Sequence, residues 1–128
     1  MDVREKVLFK GFFGVLAGVV ILSVIFAAPI WAHAGNAGNG EKIVKTRKLG
    51  NCISCHYLPG VESPGDIGPS LVDVMRGFTK ADRKVVRQWV RDARRFNPDT
   101  IMPPFGPNKL LTPEQIDDVV EYLFTLKK

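Results

Sequence analysis

The chain has 128 residues, 45% of them apolar, with 18 basic against 13 acidic side chains, a net charge of +5, two cysteines and two histidines. That length allows one domain, and the composition excludes a tandem-domain protein, a coiled coil and a disulfide-dense toxin. The apolar residues are unevenly spread, 23 of them falling in the first 34 positions. The remainder therefore has few side chains from which to build a core, and small domains of that kind need a staple. Something other than side chains is expected to complete the interior.

Residues 1–10 are short and charged, with Arg4, Lys6 and Lys10. Residues 11–32 then carry no charge, and the segment ends in Ala32-His33-Ala34, a small-x-small triplet ahead of Gly35. This is the three-part pattern of a secretory signal peptide with cleavage after Ala34, so residues 1–34 are read as a leader. The apolar run is also long enough to span a bilayer as an uncleaved anchor. Either way the folded part is expected outside the inner membrane, in the periplasm if the source is a bacterium. His33 lies inside the cleavage triplet and is not expected to bind metal.

Residues 35–40, all Gly, Ala and Asn, read as a linker, and residues 41–128 as the folded domain. Within it, residues 41–49 form a candidate short helix showing Ile43, Val44 and Leu49, stopped by Gly50. From 57 to 79 the chain is punctuated by Pro59-Gly60, Pro64-Gly65 and Gly68-Pro69, which predicts ordered loop with a brief helical piece around 71–75. The next helix is expected from a Thr79 cap, with Asp82 in its first turn, to Asn97-Pro98. It shares one apolar face among Val85, Val86, Trp89, Val90, Ala93 and Phe96. Residues 101–111 are again loop. Thr112-Pro113-Glu114-Gln115 then supplies an N-cap, a first-turn proline and a capping-box glutamine, followed by an apolar stripe of Ile116, Val119, Val120, Leu123 and Phe124. No alternating strand pattern and no internal repeat appears. The fold class is all-α, three to four helices with long loops, an arrangement suited to wrapping a cofactor.

Cys52-Ile53-Ser54-Cys55-His56 is C-x-x-C-H. Two thiols three positions apart can each form a thioether to one vinyl group of a haem, with the adjacent histidine placed to bind the iron. A structural zinc site would want four ligands, and beyond the leader only Cys52, Cys55 and His56 are strong ones. A thioredoxin-like redox pair would want a βαβ setting, and a plain disulfide would leave the histidine unexplained. The cofactor expected is therefore one covalent haem c.

The iron needs a sixth ligand or an open face. Met1 is in the leader, and Met75 sits among apolar neighbours as a core side chain. Met102 lies in Ile101-Met102-Pro103-Pro104-Phe105, where prolines restrict the backbone and can hold a thioether against a metal. Core packing is the usual role of methionine, but the stiff loop and the haem motif favour Met102 as ligand. His/Met ligation suits an electron carrier. The second ring nitrogen of His56 also needs a partner, and the carbonyl of Pro69 is the candidate.

On the 79–96 helix, Arg83, Lys84, Arg87, Arg91, Arg94 and Arg95 fall within about a third of the circumference, although like charges four apart disfavour the helix slightly. The stripe reads either as a solvated face or as a functional one, docking an acidic partner or balancing haem propionates. Nucleic acid is not an expected partner of an exported chain with this motif.

These residues resemble class I cytochromes c: the Cys52–His56 motif, then Gly68-Pro69-x-Leu71, then the Met102 loop and a closing helix. Within that class, Gly50-Asn51-Cys52-Ile53-Ser54-Cys55-His56 and Glu62-Ser63-Pro64-Gly65-Asp66-Ile67-Gly68-Pro69 are similar to the monohaem SoxX subunits of SoxAX cytochromes. So are Met102-Pro103-Pro104-Phe105-Gly106 and Leu111-Thr112-Pro113-Glu114-Gln115. The resemblance implies a class I cytochrome c fold around one haem, attached at Cys52 and Cys55 and ligated by His56 and Met102. It also implies a redox subunit of a thiosulfate-oxidising enzyme, L-cysteine S-thiosulfotransferase. The catalytic haem would then lie on a larger SoxA-like partner, and a soluble cytochrome c would accept the electrons. Two other readings stay open: a general monohaem carrier of a respiratory chain, and a haem catalyst or gas sensor with an open iron site.

Overall fold

The computed structural model describes residues 34–126. The leader expected over residues 1–34 lies outside them, except for Ala34. Among the described residues there are four α-helices: α1 (Ala37–Lys45), α2 (Leu71–Arg76), α3 (Arg83–Arg91) and α4 (Pro113–Leu123). Single 3-10 turns stand at Cys52–Ser54, Lys80–Asp82, Ala93–Arg95 and Phe124–Leu126. The one strand-like pairing among them is an isolated parallel bridge between His56 and Gly68. No helix among the described residues is long and apolar enough to cross a membrane.

The closing helix forms as its sequence dictates. Thr112 accepts a hydrogen bond from the Gln115 amide at 3.2 Å, the Gln115 side chain accepts one from the Thr112 amide at 2.9 Å, and Pro113 opens the helix. Its stripe of Ile116, Val119, Val120 and Leu123 is buried and forms the centre of the core. Ile43 and Val44 reach it from α1, Met75 from α2, and Val86 and Val90 from α3. Met75 is only 1% exposed, which accords with a packing role.

The expected linker at 35–40 is instead the start of α1. Asn36 caps the helix through its side-chain oxygen, which accepts from the Asn39 amide at 2.9 Å. The small residues serve a close crossing with α4 rather than freedom of the chain. A Cβ on Gly35 would lie 2.1 Å from the Asp117 carbonyl oxygen, and one on Gly40 would lie 2.0 Å from that of Asp118. The Asn36 amide also donates to the Asp118 carboxylate at 2.6 Å. Leu49 falls beyond the helix and is exposed.

The expected 79–96 helix is also corrected. Thr79 and Asp82 form a capping box over a 3-10 turn, and α3 stops at Arg91 because Asp92 is extended (φ −162°, ψ 92°). Val86, Val90 and Ala93 are buried, whereas Val85 and Phe96 are not. Phe96 stacks on Trp89 with ring centroids 4.6 Å apart. Neither reading of the basic stripe holds for its first two arginines. Arg83 donates to the Glu121 carboxylate at 2.6 Å, and Arg87 donates to both oxygens of Asp117 at 2.8 and 3.3 Å. These bonds clamp α3 onto α4, while Lys84, Arg94 and Arg95 stay exposed.

The α1–α4 crossing makes a stability prediction. Alanine normally favours a helix over glycine by about 1 kcal/mol, but at Gly40 the added carbon meets backbone that cannot rotate away. Gly40→Ala is expected to destabilise the protein by about 2 kcal/mol or more in denaturant unfolding. At exposed Gly38 the added carbon meets only the tip of Asn36, so Gly38→Ala is expected to stay within about 0.5 kcal/mol of the parent.

Candidate functional site

The site begins where α1 ends. The Gly50 amide donates to the Ile43 carbonyl at 3.1 Å and the Asn51 amide to that of Thr46 at 3.3 Å, which fixes the chain against the helix. Asn51 takes the left-handed conformation (φ 51°, ψ 34°), and its side chain accepts from the Ser54 hydroxyl at 2.6 Å. Asparagine tolerates that conformation better than most residues. From there the backbone makes one helical turn, with the amides of Cys55 and His56 both donating to the Cys52 carbonyl at 3.2 and 2.9 Å. Residues three and four apart on such a turn share a face. Cys52, Cys55 and His56 are therefore presented together, while Ile53 points into the core at 7% exposure. The two cysteines are not bonded to each other. Burial pushes the Cys52 thiol up to about 11.

After this turn the chain straightens and is met by a second segment. The Gly65 amide donates to the Ile53 carbonyl at 2.8 Å, Gly68 to Cys55 at 2.7 Å and Leu71 to Tyr57 at 3.1 Å. The Pro-Gly punctuation thus lays residues 65–71 along the motif. His56 Nδ1 lies 2.7 Å from the Pro69 carbonyl oxygen, the contact expected from the sequence. A carbonyl can only accept, so Nδ1 carries the proton and Nε2 keeps the lone pair. Gly68 makes room for the ring: a Cβ there would lie 2.5 Å from Cε1 and 2.7 Å from Nδ1.

Met102 sits on a strap that leaves the end of α3 and returns to it. The Gly106 amide donates to the Arg91 carbonyl at 2.9 Å, and Phe105 is buried at 6% exposure. Met102 is half-buried and packs against the core, as do Cys52, Val61, Leu71 and Phe78. Its amide donates to the Thr100 hydroxyl at 3.2 Å. Sequence reasoning credited the prolines with holding this loop and missed Thr100, although a hydroxyl two residues before a fixed position is a known turn-former. Among the described residues no group of three or more His, Cys, Asp and Glu side chains is placed to hold a metal ion.

Comparison with known proteins bears directly on this arrangement. Residues 35–123 match the family described as cytochrome c oxidase, cbb3-type, subunit III. The chain is 32% identical over 114 residues to cytochrome c6 of Gloeothece citriformis, covering 84% of this chain and 90% of that protein. It is 39% identical over 79 residues to an uncharacterized lipoprotein of Aquifex aeolicus, covering 59% of this chain and 36% of that one. Among solved structures it resembles SoxXA from P. pantotrophus, with a TM-score of 0.66, 31% identity, and coverage of 79% of this chain and 88% of the other.

The residues present fit haem c. Two unbonded thiols stand on the same turn as an imidazole whose Nε2 lone pair is available, and Val61, Leu71, Phe78 and Met102 are partly buried apolar side chains packed against the core. The chain belongs to the cytochrome c family, as a SoxX-like class I cytochrome c that carries covalent haem c and transfers electrons.

Proposed function

We propose that this chain is the SoxX-like electron-transfer subunit of a periplasmic SoxAX-type cytochrome. It would work beside a larger SoxA-like subunit, in the oxidative coupling of thiosulfate to a carrier-protein cysteine, and pass electrons to a soluble cytochrome c. The likeness to SoxXA carries this reading, since it pairs 31% identity with coverage of 88% of that chain. Export is supported by the charged, apolar and small-residue pattern of residues 1–34, which we take as a leader.

Haem c supplies a one-electron centre when bound. Cys52 and Cys55 are the residues we assign to its two thioether links. His56 would bind the iron through Nε2, and the Pro69 carbonyl at 2.7 Å would fix the ring and strengthen it as a donor. Met102 would bind the iron through Sδ, a soft and neutral donor that would raise the reduction potential. Both side chains stand on backbone tied down by local hydrogen bonds, His56 through the Cys52 carbonyl and Met102 through the Thr100 hydroxyl. A second reading, a general monohaem carrier of a respiratory chain, is favoured by the cytochrome c6 likeness.

Three experiments separate these assignments. Reduced protein is expected to resist carbon monoxide, and Met102→Ala to bind it readily; a parent protein that binds it freely would instead indicate a catalyst or gas sensor. Gly68→Ala, which drives a carbon into the His56 ring, is expected to yield roughly tenfold less haem-loaded protein. Gly77→Ala, which meets only ordinary contact distance, should leave the yield unchanged. Finally, thiosulfate should reduce this haem only when the larger cytochrome and the carrier protein are present and co-purify with it. Failure of that reconstitution would favour the respiratory carrier.

A further inference from the structure

We propose that Thr100 is a positioning residue for Met102, and that its hydroxyl rather than the following prolines sets how firmly the thioether holds the sixth position of the iron. The inference rests on the axial-ligand reading above.

The strap of residues 92–106 is tied at its base, along its first half, and again from Pro104 onward, where the Pro104 carbonyl accepts from the Asn108 amide at 3.1 Å and Phe105 is buried. At the base, Asp92 is 8% exposed, and its carboxylate accepts from the Arg94 amide at 3.3 Å and from its guanidinium at 2.7 and 2.9 Å. The Gly106 amide returns to the Arg91 carbonyl at 2.9 Å, and a Cβ on Gly106 would lie 2.7 Å from Cγ of Arg91. From the base, each step hands a hydrogen bond to the next. The Asn97 amide donates to the Ala93 carbonyl at 3.0 Å, the Thr100 amide to the Asn97 carbonyl at 3.2 Å, and the Asp99 amide to the Asn97 side chain at 3.2 Å. The relay ends with the Met102 amide on the Thr100 hydroxyl.

On the other side of Met102 the next tie is two residues away, at the Pro104 carbonyl. Pro103 and Pro104 have no amide hydrogen, so neither can anchor the strap by donating. Proline narrows φ at its own position and disfavours the helical region for the residue before it, but it gives the Met102 amide no hydrogen-bond partner. Ile101, beside Met102, is 77% exposed and gives no packing anchor. Thr100 is itself half-buried, so its hydroxyl is partly shielded from competing water. Of the groups around Met102, the Thr100 hydroxyl is the one that fixes its main chain directly.

The test compares Thr100→Val, which keeps the shape and removes the acceptor, with Thr100→Ser, which restores it. Both are made in the haem-loaded protein, and carbon monoxide competes for the sixth position after reduction. Losing one net hydrogen bond to the ligand-bearing backbone should raise apparent carbon monoxide affinity about three- to tenfold in Thr100→Val. Thr100→Ser should stay near the parent. Met102→Ala is the reference. If it does not open the site, the axial-ligand reading fails. If it does, while Thr100→Val behaves like the parent, only the positioning role is overturned. Equal gains in Thr100→Val and Thr100→Ser would also overturn it, since the effect would then not follow the hydroxyl.

Discussion

One turn of helix, Cys52 to His56, is the constraint on which the rest of this molecule is organised. It puts two sulfurs and an imidazole on a common face, and the carbonyl of Cys52 closes the turn by accepting from both Cys55 and His56. A turn this short is not stable alone. It is held from one side by the end of α1, through Ile43 and Thr46, and from the other by residues 65–71 lying alongside. The histidine ring is thereby caught between the backbone of Gly68 and the carbonyl of Pro69. That capture engages Nδ1 and leaves Nε2 as the ring nitrogen available to serve as a ligand.

The helices serve this arrangement by fixing what surrounds it. α1 and α4 approach backbone to backbone at Gly35 and Gly40, and that contact places the end of α1 where the haem-binding turn must start. Arg83 and Arg87 hold α3 against α4 through Glu121 and Asp117, and α3 in turn anchors both ends of the strap bearing Met102. Exposed ion pairs are worth little singly. Here they link two helices far apart in sequence, and one is bidentate, which gives geometric definition beyond its energy. An apolar-poor chain thus defines a site with glycines, caps and a few directed polar bonds rather than with a large core.

Much of the fold was legible because its signals were local. The capping box at Thr112 and Gln115, the stripe from Ile116 to Leu123 and the Pro-Gly loops all report short-range chemistry, and each is formed as read. The Pro69 carbonyl was found because a histidine bound to metal needs a second partner. What could not be read depended on distant residues. Residues 35–40 look like a linker by composition, and only the approach of Asp117 and Asp118 turns glycine into a packing requirement. The partners of Arg83 and Arg87 lie on another helix, so a real clamp looked like a solvated stripe. The break at Asp92 was masked because the apolar spacing continues through it to Ala93 and Phe96, while the buried carboxylate prefers to bind Arg94.

The central claim is that Cys52 and Cys55 hold one haem covalently, between an imidazole and a thioether. Intact mass together with the visible spectrum, taken on protein exported from a host able to mature cytochromes c, addresses it most directly. The account predicts a coloured protein heavier than its chain by one haem, with the low-spin spectrum of an iron ligated by His and Met. A colourless product with the mass of its amino acids alone would contradict it.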